Sequence, residues 1–409
     1  MSQDVFMLGG SQTDFAKNYS RENKDIAALM EDAVEGGLAG TTLDAHEIQT
    51  AHVGNFAGEL FCNQGVLGGV FAALRPEFNG LPSGRHEAAC ASGSLAVLGA
   101  AAEIEAGRYD LACVLGIEYM RNVSGKQAGE YLGVAARTGH EFRDATYVWP
   151  RAFSDLTDVY DERYGIDYRH IGRIAEINLE NGKRNPNAQT RKWIYTPKSF
   201  SEDDEANPRI EGRVRRNDCA QVTDGAASVF LASRDFAEKW AKRNGIDIGS
   251  IPRILGWGHR SARILFKDKI ADSRDKQYVF PHVRGTIEDA FKRAGVNDVF
   301  ELDAIETHDC FSITEYMAIE HFGITKPGEA WKAVEDNTIA LGGKLPVNPS
   351  GGLIGLGHPV GATGVRMVLD AHKQVVGEAG DYQVEGASKV ATLNIGGTTT
   401  TSCCFVVGT

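Results

Sequence analysis

One cysteine stands in a setting suited to covalent chemistry. Cys90, within His86-Glu87-Ala88-Ala89-Cys90-Ala91-Ser92-Gly93-Ser94, is flanked by small residues and precedes an Ala-rich stretch of helical character. A thiol at a helix start meets oriented N–H groups and the positive end of the dipole, which favour thiolate and lower its pKa from about 8.5. Small neighbours leave room for a bulky electrophile. The same setting suits an inert cysteine buried before a core helix, so the position alone leaves both readings open.

Three further clusters bear on the choice. His358 lies in Gly355-Leu356-Gly357-His358-Pro359-Val360-Gly361-Ala362-Thr363-Gly364, where proline stiffens a turn and glycines permit unusual backbone angles. A histidine so framed can act as a base near neutral pH, or merely cap the helix that follows. The turn lacks the P-loop lysine and the GxGxxG order of phosphate cradles. Glu306-Thr307-His308-Asp309-Cys310-Phe311 places a donor, an acid and a thiol at the end of an apolar strand, where α/β sheets commonly carry their sites. A satisfied core histidine and an inert cysteine are the alternative there. In Leu393-Asn394-Ile395-Gly396-Gly397-Thr398, glycines after a buried strand can aim bare N–H groups at a developing oxyanion.

The elements that must position these residues alternate between strand and helix. Strands are expected at 5–9, 50–55 and 111–116, with helices at 25–37 and 95–106, the latter stopped by Gly107. Residues 111–116 form a continuous apolar run, as in a sheet covered on both faces. A second series follows: strands at 253–256, 302–307 and 389–395, with helices at 282–294, stopped by Gly295, and at 365–376. The order repeats with little residue identity, which points to an internal duplication. Residues 121–216 break the rhythm with Trp149-Pro150, Asn185-Pro186-Asn187 and the basic group Arg209, Arg213, Arg215 and Arg216. They are expected to form an insertion, after which a strand at 226–232 closes the first half and a helix runs on through Lys242.

Bulk properties narrow the function classes. At 409 residues, with 42% hydrophobic and 24% charged residues, the chain can bury a large core, with a length prior of about two to three domains. The net charge of −12 argues against nucleic acid or anionic membrane as a partner. No run is long and apolar enough to span a bilayer. The first residues lack a secretion-signal plan and the last three are not a peroxisomal address, so a cytoplasmic location is expected. Seven cysteines without a CxxC pair suggest free thiols rather than a zinc site or a disulfide framework, and no metal is expected.

Taken together and in this order, the four clusters resemble the thiolase superfamily over essentially the whole chain. Gly116-Ile117-Glu118-Tyr119-Met120, Val222-Thr223-Asp224-Gly225-Ala226-Ala227 and Asn348-Pro349-Ser350-Gly351-Gly352 are similar to the segments that enter and leave the thiolase loop domain and precede its histidine motif. Common thiolases carry Asn-Glu-x-Phe where this chain has His308-Asp309-Cys310-Phe311, and a second catalytic cysteine where it has Asn394. The HDCF form resembles the sterol-carrier-protein type of thiolase and its bacterial and archaeal relatives.

The resemblance implies an α/β fold of duplicated halves in a layered α-β-α-β-α arrangement. Residues 1–120 and 217–250 would form one half, 121–216 an inserted loop domain and 251–409 the second half. It implies reversible cleavage of 3-ketoacyl-CoA by CoA, or the reverse Claisen condensation, in fatty acid and lipid metabolism. Cys90 would be nucleophile, His358 its base, Cys310 the acid and base at the α-carbon, and His308 and His358 the candidate donors to the enolate. Backbone N–H groups of Cys90 and Gly396 or Gly397 would form an oxyanion hole, with Asn394 and Asp309 supporting. CoA and acyl-CoA are expected as substrates at the basic insertion, with no permanently bound cofactor. A homodimer is expected, with an accessory protein as a further partner. A ketoacyl synthase would show a threonine-rich histidine motif and a second histidine near the last glycines, which this chain lacks. A thiolase-like acyltransferase without ketoacyl-CoA cleavage, and a non-catalytic acyl-CoA-binding or scaffolding subunit, are the remaining alternatives.

Overall fold

The computed structural model describes residues 4–409; residues 1–3, part of the N-terminal segment read above, lie outside them. The main strands are β1 (Phe6–Gln12), β2 (Thr50–Gly54), β3 (Ser83–His86), β4 (Leu111–Glu118), a small hairpin of β5 (Arg209–Glu211) and β6 (Val214–Arg215), β7 (Gly225–Ala232), β8 (Arg253–Ser261), β9 (Ala304–Thr307), β10 (Lys389–Gly396) and β11 (Thr401–Gly408). In the first half the spatial order is β3-β2-β4-β7-β1. β2 is parallel to β3 and β4, while β7 is antiparallel to β4 and β1. In the second half the order is β9-β10-β11-β8, with β10 parallel to β9 and β11 antiparallel to β10 and β8. Val347 bridges Ile305 in parallel, at the place β3 holds in the first half. Order and sense therefore repeat, which establishes the duplication. The halves meet where β1 touches β8, through Phe6 opposite Arg253 and an Ile254 N–H to the Val5 carbonyl at 3.0 Å.

Side-chain alternation along the strands then builds the layers. Val5, Met7, Val229, Leu231, Phe405 and Val407 point inward to one cluster, with Val97 and Ala100 of the helix Ser92–Glu105 and Val365 and Val368 of the helix Thr363–Val376. Phe6, Leu8 and Phe230 point outward to Leu29, Met30 and Val34 of the helix Ile26–Thr41. Leu393, Cys404 and Val406 point outward to Val283 and Ile287 of the helix Pro281–Ala294. Helix, sheet, helix, sheet and helix follow one another. β4 and β7 are buried at every position, which is why they read as unbroken apolar runs. Between β4 and β7 the chain makes its long excursion, including the helices Gly125–Leu132, Val148–Tyr164 and Tyr168–Arg184. Phe153, Leu156 and Ile174 of that excursion pack into the second half's outer cluster.

Candidate active site

The two middle-layer helices start side by side, each after a single 3-10 turn, Ala89–Ala91 and Val360–Ala362. A Cβ on Gly93 would lie 2.7 Å from the Gly361 carbonyl oxygen, so only glycine allows this approach. Cys90 heads one helix and His358 precedes the other. Ala89 holds φ at +51°, so the chain reverses sharply out of β3. The Ser92 hydroxyl locks this reversal, donating to the Ala89 carbonyl at 2.6 Å and accepting from Ala88 N–H at 3.0 Å. Cys90 is left lining a cavity of about 320 Å³ together with His358, Cys310, Phe311 and Gly397.

His358 is fixed at both ends. Its backbone N–H donates to Thr223 Oγ1 at 3.0 Å, and its Nδ1 lies 2.7 Å from Thr363 Oγ1. The Thr363 hydroxyl donates in turn to the Pro359 carbonyl at 3.2 Å, so it accepts from Nδ1–H. That leaves the Nε2 lone pair for a proton from Cys90. Burial, and secondarily the Arg366 charge, bring the His358 pKa down to about 3, so the ring is neutral at rest and fit to be a base.

His308 follows β9 and is set the opposite way. The Ser94 hydroxyl donates to Asn394 Oδ1 at 2.9 Å, which turns the Asn394 amide toward His308, Nδ2 to Nδ1 at 3.0 Å. His308 Nδ1 must accept, so its proton sits on Nε2. Burial, and secondarily the proximity of His358 and of the Arg366 charge, holds its pKa well below the ordinary histidine value. His308 is thus a neutral N–H donor. The two rings meet edge to face, 5.1 Å between centroids. Cys90 Sγ and one ring nitrogen from each histidine lie within 4.8 Å of one another; among the described residues, this is also the group of side chains able to gather round a metal ion.

Burial decides the state of Cys90. The helix start was expected to lower its pKa; instead desolvation pushes it up to about 12, against N–H groups from Gly397 and Cys90 itself that favour thiolate. The local helix effect is worth about 0.3–1 kcal/mol, too little to win in an enclosed cavity. The resting pair is therefore thiol and neutral imidazole. The same two N–H groups face the Cys90 sulfur. A Cβ on Gly396 would lie 2.1 Å from the Ala88 carbonyl oxygen, so the glycine is what lets this loop lie against the Cys90 segment.

Cys310 is buried, lines the same cavity, and its carbonyl accepts from Ala220 N–H at 3.0 Å. Desolvation and the nearby Cys90 and Asp309 raise its pKa well above the ordinary thiol value, so it rests as a proton-carrying thiol. Asp309 turns away from the cavity. Its carboxylate accepts from Leu353 N–H at 2.5 Å, Ile354 N–H at 3.1 Å and Asn178 Nδ2 at 2.8 Å, which anchors the strand end to the segment ahead of His358. Glu118 does similar work, accepting from Phe56, Ala57 and Gly361 N–H groups and from Asn55 Nδ2, between 2.8 and 3.1 Å.

Of the four arginines noted in the insertion, three are engaged by acids. Arg213 pairs with Asp158 and Asp161, Arg215 is buried against Asp204, and Arg209 lies 3.9 Å from Glu202. Arg216 lines the cavity. Sequence reasoning missed Ser94, Thr223 and Thr363, the hydroxyls that set the two histidines. All three fall inside segments already noted, but nothing in those segments marks the partner.

Comparisons with known proteins identify the family and the fold. Residues 5–195 match the family model for the thiolase N-terminal domain, and residues 267–409 the model described as thiolase C-terminal domain-like. An acetyl-CoA acetyltransferase of Methanothermobacter thermautotrophicus is 31% identical over 400 residues, covering 97% of each chain. The chain belongs to the thiolase family. Its relatives include a second archaeal acetyl-CoA acetyltransferase, from Methanocaldococcus jannaschii, 29% identical over 99% of both chains. They also include sterol carrier protein 2 of Gallus gallus, 28% identical over 97% of this chain and 70% of that protein. Among solved structures, the Ltp2-ChsH2(DUF35) aldolase matches with a TM-score of 0.76 at 17% identity, covering 99% of this chain and 97% of that one. Human mitochondrial 3-ketoacyl-CoA thiolase in complex with CoA matches with a TM-score of 0.68 at 16% identity, covering 100% and 98%. At such identities the structures speak for the fold alone. No helix among the described residues is long and apolar enough to cross a membrane.

Proposed function

We propose that this chain is an acyl-CoA:CoA C-acyltransferase that reversibly cleaves a 3-ketoacyl-CoA with CoA, giving acetyl-CoA and a shortened acyl-CoA. The supporting observation is the convergence of Cys90, His308 and His358 within 4.8 Å on a cavity that Cys310 also lines. His358 Nε2 takes the Cys90 proton as the sulfur attacks the 3-keto carbon. The oxyanion forms against the N–H groups of Cys90 and Gly397. Collapse restores the carbonyl, breaks the carbon–carbon bond and expels the acetyl-CoA enolate, whose oxygen takes a hydrogen bond from His308 Nε2–H. Cys310 gives its proton to the enolate carbon. CoA then displaces the acyl group from Cys90. In reverse, the Cys310 thiolate removes an α-proton and the enolate condenses with the acyl-Cys90 ester.

The relatives named acetyl-CoA acetyltransferase support a C-acyl transfer, and Cys310 would stand in for the cysteine that Asn394 replaces. CoA would enter by the Arg216 side of the insertion. A cytoplasmic homodimer is part of the same proposal, as is an accessory protein, suggested by the DUF35-containing neighbour. The test is thiolysis across ketoacyl-CoA chain lengths, with Cys90→Ala as blank, together with intact mass after incubation with acyl-CoA. An acyl adduct on Cys90 without thiolysis would mean acyl transfer without carbon–carbon cleavage, and no adduct would mean a binding subunit. Wild-type thiolysis by Cys310→Ala would overturn the role given to Cys310.

A further inference from the structure

Lys269 is a buried cation that the chemistry above does not use. It lies on the helix Phe266–Asp272 and is 4% exposed. Its Nζ donates to Thr398 Oγ1 at 2.6 Å, Thr400 Oγ1 at 3.0 Å and the Ile264 carbonyl at 3.2 Å, which uses all three ammonium donors. Desolvation lowers its pKa to about 7, with Glu141 opposing. Glu141 belongs to the insertion, and its carboxylate also accepts from Phe266 N–H at 2.9 Å, so the insertion holds the start of the helix that carries Lys269.

The two threonines belong to the turn between β10 and β11, which begins at Gly397, the residue whose N–H points at Cys90 Sγ. Between them, Thr399 holds φ at +62°. For a β-branched residue this is a strained conformation that persists only when its surroundings impose it. Those surroundings are Lys269 on either side of Thr399 and His282, whose Nε2 lies 2.9 Å from the Thr399 carbonyl and 3.1 Å from its hydroxyl. Without these ties the turn would relax toward ordinary angles and carry Gly397 with it.

We propose that Lys269, with His282 beside it, is a positioning residue that holds the Gly397 N–H on the oxyanion of the Cys90 adduct. This rests on Cys90 being the acyl acceptor. Lys269→Met keeps the length of the stem and removes the ammonium. Displacing an oxyanion donor by a fraction of an ångström lowers the chemical step, so kcat and the rate of Cys90 acylation are expected to fall about 10- to 100-fold. KM is expected to stay within roughly threefold, because ground-state contacts are unchanged. The readout that separates positioning from folding is the final extent of the Cys90 adduct by intact mass: full extent reached slowly is expected. Acylation by Lys269→Met at the wild-type rate, or a fast but partial adduct, would overturn the proposal. If that variant does not fold, Thr398→Val removes one tie only, and a wild-type acylation rate there overturns it equally. Absence of the adduct in the wild type would instead overturn Cys90 as acyl acceptor, so the two failures are distinguishable.

Discussion

Asn394→Asp distinguishes a donor at His308 from a bystander. The carboxylate fits the space of the amide and still accepts from the Ser94 hydroxyl, 2.9 Å away. It has no N–H to give His308 Nδ1, which the amide meets at 3.0 Å. The new carboxylate and His308 therefore share protons, and their titration belongs to the pair. With two protons on the pair, either a carboxyl donates to Nδ1 or the imidazolium donates from both nitrogens, and Nε2–H survives in both forms. When one proton leaves, the other sits between Nδ1 and the carboxylate, and Nε2 faces the enolate as a bare lone pair. Burial lowers His308 itself, but it also opposes the net negative charge left on the pair, so the loss is moved up from the ordinary carboxyl range toward neutral pH. Removing one donor to a developing oxyanion lowers kcat about 10²- to 10³-fold, or about 3–4 kcal/mol. The assay is kcat for thiolysis between pH 6 and 9. The expected result is near-wild-type activity on the acid side and a falling limb that the wild type lacks. A variant profile parallel to the wild type at equal kcat would mean that His308 Nε2–H does not hold the enolate.

Other consequences are more direct. Gly396→Ala places a Cβ 2.1 Å from the Ala88 carbonyl oxygen, so the loop must move off Cys90; acylation is expected to fall at least about 100-fold, measured by intact mass, with a lower melting temperature. Zn²⁺ is expected to inhibit by seating on Cys90, His308 and His358, whose ligand atoms lie within 4.8 Å of one another; EDTA should restore activity, and Cys90→Ala should weaken the heat of Zn²⁺ binding by calorimetry. Stability is expected to vary with pH with a defined sign. Glu118 and Glu320 are raised by burial from 4.5 to about 7, and burial raises Glu306 and Glu315 in the same sense, so their contribution is full below about 4.5 and is lost as pH rises through about 7. His282, His358 and His372 are lowered from 6.5 to about 3 to 4, so theirs is full above 6.5 and is lost as pH falls toward 4. A melting temperature that peaks between about pH 4.5 and 6.5 and declines by pH 8 is expected from thermal scans; a rise from pH 6.5 to 8 would contradict the assigned burial.

What could be read in the sequence was whatever local physics decides. β4 and β7 announce themselves because both faces are covered, leaving no polar alternation. The helix Pro281–Ala294 ends where Gly295 takes φ of +69°, a stop visible in the sequence. The strand that turns into the Cys90 helix had no readable bounds: β3, Ser83-Gly84-Arg85-His86, is an edge strand, half exposed and without an apolar face. β11 escaped notice because its apolar run follows the Gly-Gly-Thr turn so closely that it merged with the motif before it. Cys90, His358, His308, Cys310 and the glycines were legible as types in suggestive company. Their partners were not, because the bond from Ser94 to Asn394 spans 300 residues and no spacing rule reaches that far.

The same distance explains why the Cys90 pKa came out on the other side. A helix start is a property of a dozen residues and can be read from them. Desolvation is a property of whatever closes over the thiol, here Gly397 from the second half and Phe56, Trp149 and Phe311 from three other places in the chain. Duplication is what makes this closure possible. Each half offers one buried helix start at its seam, and the seam forces the two starts together, with Gly93 against Gly361. One start carries a thiol that burial keeps protonated, and the other carries an imidazole that burial keeps neutral. Neither is reactive by itself, since a thiol near 12 and an imidazole near 3 exchange no proton at rest. In the proposed reaction, transfer would become favourable only when an acyl carbon accepts the sulfur and its oxygen takes up the charge against Cys90 and Gly397. On that proposal the pair would attack a bound thioester and stay idle toward solvent, a division of labour set by the fold around Cys90 rather than by Cys90's own helix.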